Sequence, residues 1–126
     1  MNPTRLLIID DHQDVREALA SRLDATPVIN VIGCTGCWKT GLQKALELQP
    51  EVVLLETKRT DGEGLGALQS LNDRCSATDV IVLTSYPDAE ERAAARSAGA
   101  VAYLLKDIDT AQLVSEIRSV ARQQPR

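Results

Sequence analysis

Two hydrophobic patterns alternate along the chain. Unbroken apolar runs occur at 6–9, 52–55 and 80–83, each bounded by polar residues. A run of that kind predicts a strand covered on both faces, as in a parallel sheet. Between the runs lie longer stretches in which apolar residues return every three or four positions, the spacing of a helix with one buried face.

Taken in order, the first strand is predicted over Arg5–Ile9, ending at Asp10-Asp11. Val15, Leu19 and Leu23, with Ala18 and Ala20 beside them, then predict a helix from His12, with Asp11 as its N-cap. Thr26-Pro27 breaks that helix, and Val28–Ile32 reads as a second strand closed by Gly33. A second helix is predicted over about Trp38–Leu48, with Leu42, Ala45, Leu46 and Leu48 as its apolar positions and Pro50 marking its end. The third strand is Val52–Leu55. Gly64–Asn72 is a short helix with Leu65, Leu68 and Leu71 on one side, and Asp79–Thr84 is the fourth strand. Asp88–Ala98 is an Ala-rich helix with a thin apolar face, stopped by Gly99. Val101–Leu105 is the fifth strand, ending at Lys106. The last helix runs from Asp109 to about Gln123, its core positions being Leu113, Val114, Ile117 and Val120. Five βα units with short connections imply an α/β fold: a single five-stranded parallel sheet, helices on both faces, right-handed crossovers. Residues 1–122 are expected to form one domain, and 123–126 a tail or the start of a linker.

Composition narrows the function classes. A chain of 126 residues supports one domain with a real core. A net charge of −4 gives no broad electrostatic footprint for nucleic acid. Only Trp38, Tyr86 and Tyr103 are aromatic, too few for a base-stacking surface. No apolar run approaches the ~20 residues of a membrane span, and no signal region follows Met1. A cytoplasmic protein, with no membrane partner and no direct nucleic-acid contact, is therefore expected. Cys34, Cys37 and Cys75 do not suggest a secreted disulfide framework. Cys34-Thr-Gly-Cys37, before Trp38, has redox-motif spacing, but the surrounding βα pattern favours an incidental role. His12 is expected to face solvent at a helix start.

The chemistry-bearing residues stand at the C-terminal ends of the predicted strands: Asp10 and Asp11, Glu56, Thr84 and Lys106. A parallel sheet brings all these ends to one edge, where open α/β folds place their sites. Three carboxylates, a hydroxyl and an ammonium suit a hard oxygen-ligand cation together with a phosphoryl group. That set works by positioning and charge compensation.

With Ile9-Asp10-Asp11-His12, Pro50-Glu-Val-Val-Leu-Leu-Glu56, Val82-Leu-Thr84-Ser85 and Gly99-Ala-Val-Ala-Tyr103-Leu-Leu-Lys106-Asp107, the chain resembles the receiver domains of two-component response regulators. The resemblance covers essentially the whole chain. It is strongest to receivers that precede a LuxR-type helix-turn-helix. It implies a flavodoxin-like (βα)5 fold, Mg²⁺ as cofactor, and a histidine kinase and an output protein or domain as partners, with a homodimer also allowed. It implies that Asp10 and Asp11 bind the metal with Glu56 and the backbone carbonyl of Lys58. It further implies that Thr84 and Lys106 contact a phosphoryl group, and that Tyr103 is the switch aromatic.

The departure is at the acceptor position, where this chain has Glu56 in place of the family's Asp. No catalytic residue is assigned, and the protein is read as a non-enzyme. One extra methylene adds about 1.5 Å of reach, in a site where about 1 Å can cost two orders of magnitude in rate. The following loop carries Arg59, Thr60 and Asp61 where the family has a Met-Pro-Gly type sequence, which is expected to free the loop and add cations. Glu56 either reaches Lys106 and Thr84 in the manner of a phosphorylated aspartate or is an inert third acid. The leading reading is an atypical receiver, acting in signal transduction by protein–protein interaction independently of aspartyl phosphorylation. The alternatives are the receiver half of a DNA-binding regulator whose helix-turn-helix lies beyond Arg126, and a Mg²⁺-dependent phosphatase or transferase.

Overall fold

The computed structural model describes residues 2–59 and 61–122. Five strands form one parallel sheet in the order β2-β1-β3-β4-β5. They are β1 (Thr4–Ile9), β2 (Ile29–Thr35), β3 (Val52–Leu55), β4 (Asp79–Thr84) and β5 (Ala102–Leu105). The helices between and after them are α1 (Gln13–Asp24), α2 (Trp38–Leu48), α3 (Gly64–Arg74), α4 (Ala89–Ser97) and α5 (Thr110–Arg122). The fold is the flavodoxin-like (βα)5 arrangement expected. The positions assigned to a tail, including Gln123 at the predicted end of α5, lie outside the described residues.

The apolar runs are strands because both of their faces are covered. Leu7, Ile9, Val53, Leu55, Val80 and Val82 pack with Leu42 and Ala45 of α2, Ala67, Leu68 and Leu71 of α3, and Ala95 of α4. Their neighbours Leu6, Ile8, Val52, Leu54, Ile81 and Leu83 pack with Leu19 and Leu23 of α1 and Leu113 and Ile117 of α5. Each fully buried Leu or Ile contributes about 1.5–3 kcal/mol, so the central three strands anchor both layers.

Several local expectations change. β2 runs through Gly33 to Thr35, because a bulge between the Leu6 and Leu7 pairings places Gly33 opposite Leu7 and continues the ladder. The N-cap of α1 is His12, not Asp11, and its side chain makes no cap bond. Val15, Leu48 and Leu65, expected to face the core, are exposed. Each lies in the first or last turn of its helix, and the buried contacts come instead from mid-helix residues such as Leu19, Ala45 and Leu68. Gly99 follows the Ala98 C-cap of α4 with φ +112. The Gly99 amide donates to the Arg96 carbonyl and the Ala100 amide to the Ala95 carbonyl. This is a Schellman ending, and it favours glycine for its positive φ.

Candidate functional site at the C-terminal edge of the sheet

Register fixes the site. Ile9 pairs with Leu55 and Leu55 with Val82, while Thr84 pairs with Leu105. The residues that follow these pairs are therefore neighbours. The Glu56 amide donates to the Ile9 carbonyl at 3.0 Å, and the Lys106 amide to the Thr84 carbonyl at 2.9 Å.

One local device recurs along this edge. At the end of β1, Asp10 Oδ1 accepts from the His12 amide at 2.9 Å. At β2, Thr35 Oγ1 accepts from Cys37 at 3.3 Å. At β3, Glu56 Oε2 accepts from Lys58 at 2.9 Å. At β4, Thr84 Oγ1 accepts from Tyr86 at 3.2 Å. In each case a polar side chain at the strand end closes the turn onto the amide two residues on, the local bonding that favours Asp and Thr at such sites. Glu56 does the same with a longer arm.

The charges meet below these turns. Lys106 Nζ donates to Asp10 Oδ2 at 2.5 Å and forms an ion pair with Glu56 Oε1 at 2.8 Å. Side-chain exposure is 3% for Asp10, 1% for Glu56 and 10% for Lys106, so the triad is almost wholly withdrawn from water. Burial alone would push the Lys106 ammonium down. The carboxylates of Asp10 and Glu56 outweigh that penalty and hold it above the ordinary lysine range. Thr84 is fully buried beside them.

Ion pairs of Lys58 and Arg59 surround the loop after β3. Arg59, expected from the sequence to add a cation close to the site, has a side chain only 2% exposed. Its Nε pairs with Asp61 at 3.1 Å and its Nη2 donates to the Gly36 carbonyl at 2.5 Å. The loop is thereby tied to the β2–α2 turn at Arg59 rather than freed. Lys58 Nζ pairs with Glu91 at 3.2 Å and Asp88 at 3.5 Å. The Glu91 carboxylate holds the Lys58 ammonium above the usual range. Tyr103, half-buried on β5, donates its hydroxyl to Glu91 Oε1 at 3.1 Å. Glu91 was not identified from the sequence, because its partners Thr57 and Tyr103 lie 34 and 12 positions away and no local pattern reveals them.

The donor atoms of Asp10, Asp11 and His12 lie within 4.8 Å of one another, the one such group among the described residues. The exposed His12 ring leans toward the acids, with Nδ1 3.3 Å from Asp10 and 3.4 Å from Asp11. The two aspartates fit a hard divalent cation in charge and donor type. Glu56 lies outside that group, its oxygens engaged by Lys106 and by the Lys58 amide.

Cys34, Cys37 and Cys75 are free thiols. Cys37 is the N-cap of α2. Bonding from the Thr40 side chain, and then from the Thr40 and Lys39 amides, lowers its thiol pKa, whereas burial raises that of Cys75.

The response regulator receiver domain family matches residues 6–118. The chain belongs to that family. The receiver is 36% identical over 122 residues to the transcriptional regulatory protein LiaR of Bacillus subtilis, covering 97% of this chain and 58% of that protein. It is 30% identical over 116 residues to the DNA-binding transcriptional activator DevR/DosR of Mycobacterium tuberculosis, covering 92% and 54%. The receiver thus spans about half the length of these relatives. Among solved structures, the signal receiver domain of NarL from Mycobacterium tuberculosis superposes with a TM-score of 0.90 at 22% identity, covering 98% of this chain and all of that one. A LuxR-family response regulator from Aurantimonas superposes with a TM-score of 0.88 at 22% identity, over 98% of this chain and 88% of that one. No helix among the described residues is long and apolar enough to cross a membrane.

Proposed function

We propose that this receiver is an atypical one: a cytoplasmic signalling module that acts by protein–protein contact without aspartyl phosphorylation. The observation that carries the reading is the bonding of the Glu56 carboxylate at the end of β3, the position that the resemblance to other receivers gives to the acceptor. One of its oxygens pairs with Lys106 and the other accepts from the Lys58 amide. A phosphoryl acceptor must hold its oxygen in line with the incoming phosphorus to within about 1 Å, with the lysine beside it meeting the incoming charge. Here the longer acid engages that lysine itself.

The pairing with Lys106 supports partial occupancy of the phosphoryl volume by Glu56. A fuller mimic would also engage Thr84, whose oxygen instead closes the turn to Tyr86. Asp10 and Asp11 would hold Mg²⁺ with the Lys58 carbonyl as a further oxygen, and Glu56 would join them only by giving up its bond to Lys106 or to the Lys58 amide. The ion would supply charge neutralisation for an anionic ligand. The partners in this reading are a histidine kinase or an output protein, and a second copy of the chain is a further candidate.

Intact-mass measurement after incubation with Mg²⁺ and acetyl phosphate tests the proposal. An unchanged mass is expected, and stoichiometric phosphate at Glu56 would overturn it. A second reading is favoured by the half-length coverage of the relatives: this chain is the receiver half of a DNA-binding transcriptional regulator. The reading frame past Arg126 decides it.

A further inference from the structure

We propose that Glu91 is a positioning residue that carries the state of the Glu56 loop to Tyr103. Glu91 lies in the first turn of α4, and its side chain is 11% exposed. Its Oε1 accepts from the Thr57 hydroxyl at 2.8 Å and from the Tyr103 hydroxyl at 3.1 Å. Its Oε2 pairs with Lys58 Nζ at 3.2 Å. Thr57 and Lys58 directly follow Glu56, and the Lys58 amide donates to Glu56 Oε2. The Glu56 carboxylate thus reaches the Tyr103 hydroxyl through Lys58, bonded at its amide and paired at its side-chain ammonium, and then through the Glu91 carboxylate.

Three features make this a coupling rather than an incidental cluster. The acceptor is charged and nearly buried, where such bonds are strong and mutually reinforcing. Helix α4 has only Ala95 fully buried, so apolar packing does little to fix its first turn and the Glu91 contacts do more. The remaining charges converge on the same point. Asp88 shares Lys58 Nζ at 3.5 Å, and the Arg92 guanidinium lies 5.2 Å from the Tyr103 ring centroid. Tyr103 is therefore gripped at its hydroxyl by Glu91 and on its face by Arg92. A change of charge or length at Glu56 displaces the Lys58 backbone, then its ammonium, then Glu91 and the ring. The link runs through the β3–α3 loop and does not pass through the Thr84 hydroxyl.

The inference rests on Glu56 being the central residue of the pocket, and its test is independent of whether Glu56 accepts phosphate. The chain has two tyrosines, so a Tyr86→Phe background leaves Tyr103 as the sole tyrosine signal. In that background Glu56→Ala is expected to shift the Tyr103 ring resonances in NMR spectra. With Glu91→Ala added, the ring resonances start from a different position and the response to Glu56→Ala is lost. Glu91→Gln keeps a neutral acceptor for Thr57 and Tyr103 but drops the Lys58 ion pair. It should leave the ring near its native position while weakening the response, and it remains informative if Glu91→Ala fails to fold. An equal response to Glu56→Ala with Glu91 or Gln at position 91, or native Tyr103 resonances in Glu91→Ala, overturns the proposal. A phosphorylated Glu56 with an intact Tyr103 response would sink the proposed function and leave this inference standing.

Discussion

At the residue scale the central fact is a buried imbalance. Asp10 and Glu56 share one ammonium, Lys106, in a space almost closed to water. Removing one partner of a buried ion pair commonly costs about 3–5 kcal/mol because the remaining charge is left uncompensated. Lys106→Ala should therefore destabilise the domain by about 3 kcal/mol or more, read from urea unfolding midpoints. The pH dependence has a definite sign. The folded-state pKa of Lys106 is raised, so its contribution is fully present below the unfolded lysine value of about 10.4. That contribution is lost as pH rises through the folded value. Wild type should lose stability over that alkaline range more steeply than Lys106→Met, and parallel curves would contradict the assignment.

How much of the site was legible follows from which residues are local. Asp10, Glu56, Thr84 and Lys106 could be read because each ends an apolar run, and a parallel sheet sends such ends to one edge. The pairing of Glu56 with Lys106 was one of two readings the sequence left open, because a neighbour 50 positions away is placed only by the folded sheet; the bond from the Lys58 amide to Glu56 was not read. The burial of Arg59 was equally hidden. A guanidinium in a polar loop reads as solvated, and only the Gly36 carbonyl and Asp61 show why it is not.

At the element scale, β3, β4 and α2 match their expected bounds because unbroken apolar runs and a clean helical period leave little choice. β2 does not, since its residues are mostly half-buried and a bulge carries the strand past a glycine that reads as a stop. Helix α4 buries only Ala95 and is held at its first turn by polar contacts. Its N-cap, Asp88, accepts from the Glu90 and Glu91 amides. Those amides, followed by the charge of Lys58, lower the Asp88 carboxyl pKa. Loss of an N-cap costs about 1 kcal/mol. Asp88→Ala should therefore increase amide hydrogen exchange across α4 selectively, while the amides of β1 and β3 keep wild-type protection. A uniform increase across the sheet would show that α4 is not an independently loosened unit.

At the scale of the whole molecule, one sheet with two covered faces carries a site along a single edge. The core makes that edge rigid: Leu54 packs between β1 and β4 on the face of α1 and α5. Leu54→Ala should cost about 2–5 kcal/mol in one cooperative transition, with the α4 signals unfolding together with those of β1. A separate early transition would contradict a single domain. In the proposed reading, the residue at position 56 decides whether this scaffold takes a phosphoryl group. Wild type and Glu56→Asp, each incubated with Mg²⁺ and acetyl phosphate and weighed intact, test this most directly. On this reading wild type keeps its mass while Glu56→Asp gains one phosphoryl group at residue 56. A phosphoryl group on Glu56 in the wild-type protein would contradict it.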